Sequence, residues 1–479
     1  MARHTITYCG IKSSSFSNLF PIPQPTMGKR SSCSYRFSSL VVAAVQVFLL
    51  GNPTSAEHLG VLNQPSAERV VYVRDYGAKG DGVNDDTQAF KDAWKAACSS
   101  SLDTSMVIQA DDAHLVQPID FAGPCLSRVT FRLSGAIVAP QSPKSWEGLD
   151  SLKWLYFQDV KNLTLEGSGA VDGRGQIWWE QVRSCKIHNT SICVHPPMAM
   201  IFDNCENLNV SNLVLRNSQQ MHMAFYKCVH VYASHIKVFA PDDSPNTDAI
   251  HVNASIHVQI WDSVLKTGDD CISIVGNCSF IKIRNITCGP GHGISVGSMG
   301  KANAWDEIHD LTVDGVSLLN TENGVRVKTW QGGQGYASNI IFQNVFMENV
   351  SRPIIIDQYY CDSSLPCANQ TAAVKLSDIL FKNITGTSPT EKAIVFSCSD
   401  SIPCEGITLE DIMLESSTGH SLKSSCWQAY GWTKGVVQPP PCFSHDRSMA
   451  INPPRLSWFK VGSMSCLAAE LLFKLIFSL

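Results

Sequence analysis

The sequence is poor in charged residues and has no apolar run long enough to cross a membrane. Only 16% of its 479 residues are charged, and the net charge is −5, so the basic excess typical of nucleic-acid-binding proteins is absent. A negative total does not exclude an anionic ligand, because local cations in a cleft decide that question. The apolar stretch 40–50 is interrupted by Gln46 and is too short for a transmembrane helix. We therefore expect neither a nucleic-acid partner nor a membrane span in the mature protein.

Zinc-finger spacings are also missing, although the chain has 18 cysteines. We expect no metal and no cofactor. So many cysteines favour an oxidising compartment and an exported, disulfide-bonded protein. Nearness in sequence predicts six bridges: Cys98/Cys125, Cys185/Cys193, Cys271/Cys288, Cys361/Cys367, Cys398/Cys404 and Cys426/Cys442. Cys205, Cys228 and Cys278 are left over and are predicted to be buried free thiols.

The two ends of the chain differ from its middle. Lys29 and Arg30 precede the apolar stretch 40–50, and small residues end at Ala56, which is the pattern of a secretory signal with Met27 as an alternative start. We assign 1–56 to an N-terminal extension and signal peptide, and 57–442 to the catalytic domain. Residues 443–479 are expected to form a poorly ordered C-terminal extension. These features predict a secreted, extracellular protein, which we expect to be monomeric.

The middle of the chain is a series of similar short β-type phrases separated by Asn, Gly and Asp. V-K-N-L-T-L-E-G at 160–167 resembles C-E-N-L-N-V-S-N-L-V-L at 205–215 and several later phrases. Corresponding points at Asn207, His230, Ile256 and Phe280 recur after 23, 26 and 24 residues. Repeated strands without intervening helices are typical of a parallel β-helix, whereas leucine-rich repeats would need an asparagine phrase and a helical half. The fold class is therefore predicted to be all-β, a single-stranded β-helical solenoid.

One short helix is predicted ahead of this β region. Residues 87–98 have apolar side chains at helical spacing. An amphipathic helix in that position would cover the exposed first coil of the solenoid, since open sheet edges must be blocked.

Nine N-x-S/T sequons occur, and each is either a glycosylation site of an exported protein or a turn asparagine. Those at Asn162, Asn209, Asn285 and Asn383 lie inside the repeated phrases, which favour a turn role at least as much as glycosylation. Asn189 and Asn369 lie outside the phrases and are the better candidates for modification. The others are Asn253, Asn277 and Asn349.

Four polar motifs occur at coil-like spacing: N-T-D at 246–248, G-D-D at 268–270, G-H-G at 291–293 and R-V-K at 326–328. Asp248 and Asp269 are 21 residues apart, and Asp270 and His292 are 22 apart. Successive coils would place these side chains in one column, and clustered carboxylates suit acid/base chemistry at a glycosidic bond. Asp269 and Asp270 can share a cleft only if the chain bends there, which Gly268 permits. The cations indicate a negatively charged substrate.

These ordered motifs resemble glycoside hydrolase family 28, the polygalacturonases, and most closely its plant members. The resemblance extends over roughly 70–442 and includes C-G-P-G-H-G-I-S-V-G-S at 288–298 and P-I-I-I-D-Q-Y-Y-C at 353–361. It implies a right-handed parallel β-helix. It also implies inverting hydrolysis of α-1,4 bonds between the galacturonic acid units of pectin, with a role in cell wall remodelling.

The resemblance also implies roles for individual residues. Asp269 would be the general acid that protonates the leaving oxygen, and Asp248 and Asp270 would activate the water on the opposite face. His292 would tune the protonation of the acid or steady the cluster. The remaining implied residues bind substrate: Arg326 and Lys328 would hold its carboxylate, and Tyr360, with Tyr359 as the adjacent alternative, would line the sugar site.

Two positions depart from the family pattern, and three other functions compete with the hydrolase. Ala249 replaces the usual glycine after N-T-D, and Val327 replaces isoleucine. A calcium-dependent pectate lyase would use the aspartates as calcium ligands. An inactive wall-binding protein is hinted at by Ala249 alone. A related hydrolase acting on rhamnogalacturonan or substituted pectin is the third alternative.

Overall fold

The computed structural model describes residues 68–188, 195–363 and 366–443. The predicted signal peptide, the sequon at Asn189 and nearly all of the C-terminal extension lie outside these ranges. Among the described residues, no helix has the length and apolar content needed to span a bilayer.

The described part of the chain is built almost entirely from strands, which range from 3 to 15 residues in length. In chain order these are β1 (Arg69–Tyr72), β2 (Asp81–Asp85), β3 (Thr104–Ile108), β4 (Ala113–Leu115), β5 (Ile119–Ala122), β6 (Val129–Leu133), β7 (Ala136–Val138), β8 (Lys153–Gln158), β9 (Leu163–Glu166), β10 (Ala170–Asp172), β11 (Met198–Asp203), β12 (Glu206–Ser211), β13 (Val214–Arg216), β14 (Met223–Tyr226), β15 (Val229–Ser234), β16 (Lys237–Phe239), β17 (Ile250–Asn253), β18 (Ile256–Lys266), β19 (Ile272–Val275), β20 (Cys278–Cys288), β21 (Ile294–Met299), β22 (Trp305–Leu319), β23 (Asn323–Trp330), β24 (Gln334–Glu348), β25 (Arg352–Tyr360), β26 (Lys375–Ser388), β27 (Lys392–Ser397), β28 (Cys404–Ser416), β29 (Lys423–Trp427) and β30 (Ala429–Gln438). The helices are α1 (Thr87–Cys98) and α2 (Gln176–His188), with three short 3₁₀ turns at Val73–Tyr76, Pro143–Trp146 and Lys301–Asn303.

The strands form two sheets in which every pairing between strands is parallel. An 11-stranded sheet, here called the site sheet, runs β5-β8-β11-β14-β17-β19-β21-β23-β25-β27-β29. The other strands form a 19-stranded sheet that bends around the remaining sides, because long strands such as β18 pair with both β15 and β16. Each coil of chain thus contributes one strand to the site sheet and then returns through the other sheet. This arrangement confirms the predicted parallel β-helix.

Alternating side chains on each coil fill the interior. On the site sheet, Ile250, Ile272, Ile294, Val325 and Ile354 lie in register on consecutive strands and are fully buried. Burial of such a column removes apolar surface from water on every coil and holds the parallel register, since a shift by one residue would turn every side chain to the other face. The residues between them, which face outward, are free to form a binding surface.

Helix α1 caps the first coils as predicted, with the predicted bounds. Its Phe90, Ala93 and Ala97 are fully buried, and Trp94 packs edge-to-face on Phe121 and Phe157. The apolar side of this helix therefore closes the end of the interior.

Helix α2 is a feature that the sequence analysis did not predict. Trp178 packs at right angles to Trp146, and the indole N–H of Trp179 donates to the Ser218 carbonyl at 3.0 Å. On the same helix, Arg183 forms a 2.8 Å ion pair with Asp243, on the loop that leads to N-T-D. These contacts dock the helix against the coils, and its stability depends on them more than on helical periodicity.

Asparagines form ladders where the coils turn. Asn162, Asn285 and Asn383 have left-handed backbone conformations, as predicted for turn asparagines. Their amides bond across coils, as when Asn383 Nδ2 donates to Asn344 Oδ1 at 2.7 Å. Asn209 is not a turn residue, because it lies within β12 at an exposed strand position.

One position of the predicted repeat, Ile256, was displaced by one residue. Pairing of Val229 with Ile256 places His257, not Ile256, opposite His230. His230, His257 and Phe280 share the left-handed conformation, and their rings stack at centroid distances of 5.1 and 4.8 Å. The apolar character of Ile256 concealed the true turn position.

Five predicted disulfides are confirmed: Cys98–Cys125, Cys271–Cys288, Cys361–Cys367, Cys398–Cys404 and Cys426–Cys442. The sixth predicted pair, Cys185/Cys193, includes a residue outside the described ranges. Cys205, Cys228 and Cys278 are buried free thiols, as predicted.

The aromatic stack at the centre of the early coils should be a major source of stability. Phe202 is fully buried and stacks on Phe157 at 5.1 Å and on Phe225 at 5.4 Å. Phe202→Ala should lower the free energy of unfolding by about 3–5 kcal/mol, because it removes these contacts and leaves a cavity. Urea unfolding followed by tryptophan fluorescence measures the change. Phe346→Ala, at a position 48% exposed, is the matched control, and equal losses in both variants would contradict the packing argument.

Candidate active site

The N-T-D and G-D-D motifs lie side by side immediately before two neighbouring strands of the site sheet. The backbone N–H of Ala249 donates to the Asp270 carbonyl at 3.0 Å, and β17 then pairs with β19. Asp248 and Asp270 therefore occupy equivalent places on consecutive coils. The predicted column of acidic residues is present.

Asp269 and Asp270 lie in a bend that ends before β19 begins. At Gly268 a Cβ atom would lie 2.2 Å from the Ser244 carbonyl oxygen, so only glycine fits this close approach between coils. The Asp270 N–H donates to Asp269 Oδ1 at 2.8 Å, which fixes the bend. The bend lets both carboxylates reach the same side of the sheet, as the sequence analysis required.

Asp270 is held by two cations and a serine. Its Oδ1 accepts from Arg326 Nη2 at 2.8 Å and from Ser295 Oγ at 2.7 Å, and its Oδ2 accepts from Lys328 Nζ at 2.8 Å. The exposed fraction of the Asp270 side chain is 3%, and those of Arg326 and Lys328 are 13% and 8%. This buried, hydrogen-bonded arrangement is the kind in which an ion pair is strong.

Asp248 is bound in the same way to the next coil. Ser273 Oγ donates to Asp248 Oδ2 at 2.6 Å, and His251 Nδ1 lies 2.8 Å from the same hydroxyl. The separation from Asp248 to Ser273 is 25 residues, as it is from Asp270 to Ser295. Each carboxylate therefore leans onto a serine of the following coil.

Asp269 is the most exposed of the three carboxylates, at 19% of its side chain. Its Oδ1 lies 3.0 Å from His292 Nδ1, and Asn246 Nδ2 donates to its Oδ2 at 3.4 Å. The other ring nitrogen of His292 lies 3.1 Å from Glu322, which in turn pairs with Arg352. The imidazole is thus oriented between two carboxylates.

Tyr360 stands beside the cations on the next strand. Lys328 Nζ lies 5.2 Å from the centre of its ring, and Trp330 packs on it edge-to-face at 5.5 Å. All seven residues that the sequence analysis singled out therefore belong to one region of the site sheet.

Comparison with known proteins identifies the family. The family model described as "Glycosyl hydrolases family 28" matches residues 98–432. The chain belongs to glycosyl hydrolase family 28. This confirms the predicted family and the predicted class of enzyme, a glycoside hydrolase of the polygalacturonase family.

Individual relatives agree with the family model. The chain is 51% identical over 417 residues to a probable polygalacturonase of Arabidopsis thaliana, with 85% of this chain and 94% of that protein covered. It is 46% identical to a polygalacturonase of Persea americana, with coverage of 76% and 78%. Among solved structures, an endo-xylogalacturonan hydrolase from Aspergillus tubingensis has the same fold, with a TM-score of 0.64 at 21% identity and coverage of 77% of this chain and 99% of that one.

The pKa values of Asp248 and Asp269 are shifted in opposite directions by their surroundings. The pKa of Asp248 is raised well above its usual value, by burial first and then by the negative charges of Asp269 and Asp270. Burial also acts on Asp269, but the hydrogen bond and charge of His292, together with the charge of Lys328, outweigh it and lower the pKa of Asp269. As pH rises, Asp248 therefore keeps its proton longer than Asp269 does.

The pKa values of two neighbouring groups, His251 and Tyr360, are shifted mainly by burial. Burial lowers the pKa of His251 to about 4 and raises the pKa of Tyr360 to about 12. His251 is consequently neutral beside Asp248 at ordinary pH, and Tyr360 keeps its phenolic proton. Neither group adds charge to the carboxylate cluster.

Asp269, Asp270 and His292 place possible ligand atoms within 4.8 Å of one another, which is the grouping a calcium-dependent lyase would use. Both carboxylate oxygens of Asp270 already accept hydrogen bonds from Arg326 or Lys328. A calcium ion at this place would lie beside the positive charges of Arg326 and Lys328, which repel it. The donor set therefore suits ion pairing better than metal binding.

Sequence reasoning missed the residues that support this site. Ser273 and Ser295 belong to no recognisable motif. They are the second residues of β19 and β21, and only this equivalent position relates one to the other. A lone histidine such as His251 usually has a packing or surface role, but its contact with Ser273 ties it to the carboxylates. Glu322 precedes the R-V-K motif by four residues, and no pattern in the sequence indicated that it contacts His292.

Ala249, where the family usually has glycine, lies in the interior of the β-helix and not in the cleft. Its side chain is fully buried in the interior cluster. The methyl group therefore does not narrow the cleft, and the inactive wall-binding hypothesis loses its only support. Val327 is likewise fully buried.

The raised pKa of Asp248 predicts that this residue costs stability at neutral pH. Above the usual pKa of 3.8, the folded protein binds a proton here that the unfolded chain does not, so stability falls as pH rises through that window. Asp248→Asn removes this titration and can still accept from Ser273. At pH 7 we expect it to raise the free energy of unfolding by about 0.5–2 kcal/mol, with the gain shrinking towards pH 4.

Urea unfolding at several pH values measures this difference. Asp92→Asn, at an exposed position of α1, is the control and should leave stability nearly unchanged across the range. A destabilised Asp248→Asn variant at pH 7 would show that the carboxylate is not held against burial and repulsion.

Proposed function

We propose that this chain is a secreted polygalacturonase that hydrolyses α-1,4 bonds between galacturonate units of pectin with inversion of configuration. The observation that carries the proposal is the grouping of Asp248, Asp269 and Asp270 on one outward face, next to Arg326 and Lys328. Carboxyl groups supply the acid and base of glycoside hydrolysis, and cations suit a substrate that carries carboxylates.

In this proposal Asp269 is the general acid. It has the largest exposed side-chain fraction of the three carboxylates, and an acid must contact the glycosidic oxygen before its pKa matters. The carboxylate pair must then share one proton, held by Asp248 in the free enzyme and by Asp269 when the leaving oxygen is in place. A sugar ring above Asp269 displaces water, which raises the pKa of that carboxyl.

Asp248 and Asp270 activate the attacking water on the opposite side of the bond. The water oxygen bonds to the anomeric carbon, its proton passes to one of these carboxylates, and the glycosidic carbon–oxygen bond breaks. Asp269 gives its proton to the departing oxygen. This single displacement inverts the anomeric centre. Inverting enzymes hold acid and base roughly 6.5–9.5 Å apart to admit the water, whereas Asp269 and Asp270 have oxygen atoms within 4.8 Å of each other. The anomer of the first product, rather than this spacing, therefore tests the inversion.

Arg326 and Lys328 would share their donors between Asp270 and the carboxylate of a substrate unit. Arg has five N–H donors and Lys three, so each retains donors after bonding to Asp270. Tyr360 would pack against the sugar ring beside them. Substrate binding and catalysis are coupled through these cations.

Secretion to the cell wall completes the proposal. Five disulfides in the described ranges favour an oxidising compartment. A pectic substrate lies in that compartment, where the enzyme would remodel the wall.

Asp269→Asn should reduce the release of reducing ends from polygalacturonate by at least about 10²-fold, since proton transfer to the leaving oxygen is lost. The free energy of unfolding should stay close to that of the wild type. A reducing-sugar assay measures the rate, and proton NMR of the first wild-type product should show the inverted anomer.

The exposed-aspartate variant Asp92→Asn serves as the control and should retain full activity. A chelator should leave the wild-type rate unchanged, and no unsaturated product should absorb in the ultraviolet. Near-normal rates for Asp269→Asn would refute the acid assignment, and chelator-sensitive formation of unsaturated products would identify the lyase instead.

Arg326→Gln tests the proposed grip on the substrate carboxylate. We expect mainly a higher KM, because the guanidinium would bind the substrate carboxylate, and also a lower kcat, because the ion pair with Asp270 is lost. Loss of one charge-assisted bond should raise KM for polygalacturonate about tenfold. Steady-state kinetics with polygalacturonate measure both KM and kcat. Arg132→Gln, which breaks the surface pair with Glu166, is the control, and an unchanged KM for Arg326→Gln would remove this residue from the substrate site.

A further inference from the structure

A second concave site lies further along the site sheet, beyond the cations. It is a cavity of about 270 Å³ whose lining includes Gln331, Tyr359, Gln370, Thr371 and Asp400. This volume is slightly below the roughly 300–1,000 Å³ of pockets that hold drug-sized ligands. The cavity has room for a single sugar unit.

The position of this cavity continues the line of the catalytic groups. Lys328 on β23 pairs with Asp357 on β25, and Tyr359 follows two residues later on the same strand. Asp400 follows β27, the next strand of the sheet. Strands lie about 4.8 Å apart, so the cavity is one to two coils beyond the cations. A polysaccharide that runs along this face reaches it within a few sugar units.

The chemistry of this cavity differs from that of the catalytic region. Its lining residues include amides, hydroxyls and one carboxylate, and no Lys, Arg or His. The Asp400 carboxylate accepts from the Tyr359 hydroxyl at 3.0 Å and from the Trp427 indole N–H at 2.8 Å. This negative group disfavours a galacturonate carboxylate in the cavity. Hydroxyl and amide groups, in contrast, suit the hydroxyls of an uncharged sugar.

The wall of the cavity is held rigidly from inside. Gln358 is 1% exposed, its Nε2 donates to the Val374 carbonyl at 2.8 Å, and its Oε1 accepts from the Ser399 N–H at 2.8 Å. On the opposite side, the Gly332 N–H donates to the Ala372 carbonyl at 2.8 Å. A wall fixed by internal hydrogen bonds loses little entropy when a ligand binds.

We propose that this cavity is a subsite for an uncharged sugar unit of the substrate. The unit is either a methyl-esterified galacturonate in the main chain or a neutral sugar branch, since both present hydroxyls without a carboxylate. The inference rests on the proposed function, because the cavity selects among pectic chains that the catalytic region cleaves. The enzyme thus recognises substrate by a charged unit at the cations and an uncharged unit beyond them.

Three galacturonan oligomers of equal length test the proposal: one fully ionised, one methyl-esterified at only some units so that a charged unit remains for the cations, and one with neutral monosaccharide branches. Their affinities are measured by calorimetry with the Asp269→Asn variant, which keeps the substrates intact. Whichever uncharged source fits the cavity should bind more tightly than the ionised oligomer. Ala372→Phe, which fills the cavity without altering the Ala372 carbonyl, should weaken that oligomer about tenfold more than the ionised one, as expected for the loss of one or two hydrogen bonds.

Matched variants make the result specific. Ala372→Ser leaves the cavity open and should keep the preference. Asp400→Asn removes the negative charge and should reduce the difference in affinity between the preferred uncharged oligomer and the ionised one. A shift in the ratio of kcat/KM between oligomers should accompany these changes in the active enzyme.

The opposing outcomes are distinct. If Ala372→Phe weakens all three oligomers alike while the wild type still cleaves polygalacturonate, the subsite is refuted and the proposed function stands. If the wild type cleaves none of the oligomers, the proposed function fails and the subsite fails with it. Peptide mapping that finds a glycan on Asn369, which also lines the cavity, would show that the protein's own sugar occupies the place and would overturn the proposal.

Discussion

Three carboxylates can occupy one small region of this enzyme because Arg326 and Lys328 neutralise one of them, Asp270. Asp270 precedes β19 and the cations lie on β23, two coil steps away, a span of about 10 Å between backbones that long basic side chains can cross. Without these ion pairs, three buried negative charges would repel one another in surroundings of low dielectric constant. The proposed sharing of a proton between Asp248 and Asp269 requires Asp270 to be paired already.

Much of this arrangement could be predicted from the sequence because a parallel β-helix converts spacing into position. A residue about two dozen positions later lies on the next coil, so Asp248, Asp270 and His292 are neighbours in space as a direct result of their numbering. Gly268 predicted the bend at Asp269 and Asp270. The structure shows why glycine is needed there, since any side chain would collide with the Ser244 carbonyl. Inward Ile and Val side chains fixed the register that places the polar residues outside.

The supporting contacts could not be predicted, since they depend on side-chain direction and burial. Ser273 and Ser295 resemble any serine on a strand until the coil register brings them to the carboxylates. The direction of each pKa shift is set by competition between burial and particular partners, and that competition favours protonation of Asp248 over Asp269 although both are crowded carboxyls. Helix α2 escaped prediction because its docking tryptophans define it better than its periodicity does.

The β-helix is stable enough to accommodate the unfavourable burial of Asp248. A buried carboxyl with a raised pKa reduces stability at neutral pH, and this cost is offset by an interior of stacked apolar side chains and by the Cys271–Cys288 bridge directly after the G-D-D motif. The same frame lets the outward face change its chemistry from one coil to the next. Carboxylates, cations and then amides with one carboxylate follow in order along the site sheet. Because each coil contributes its own outward residues, a change in one coil can alter recognition of one sugar unit while the carboxylates two coils away keep their geometry.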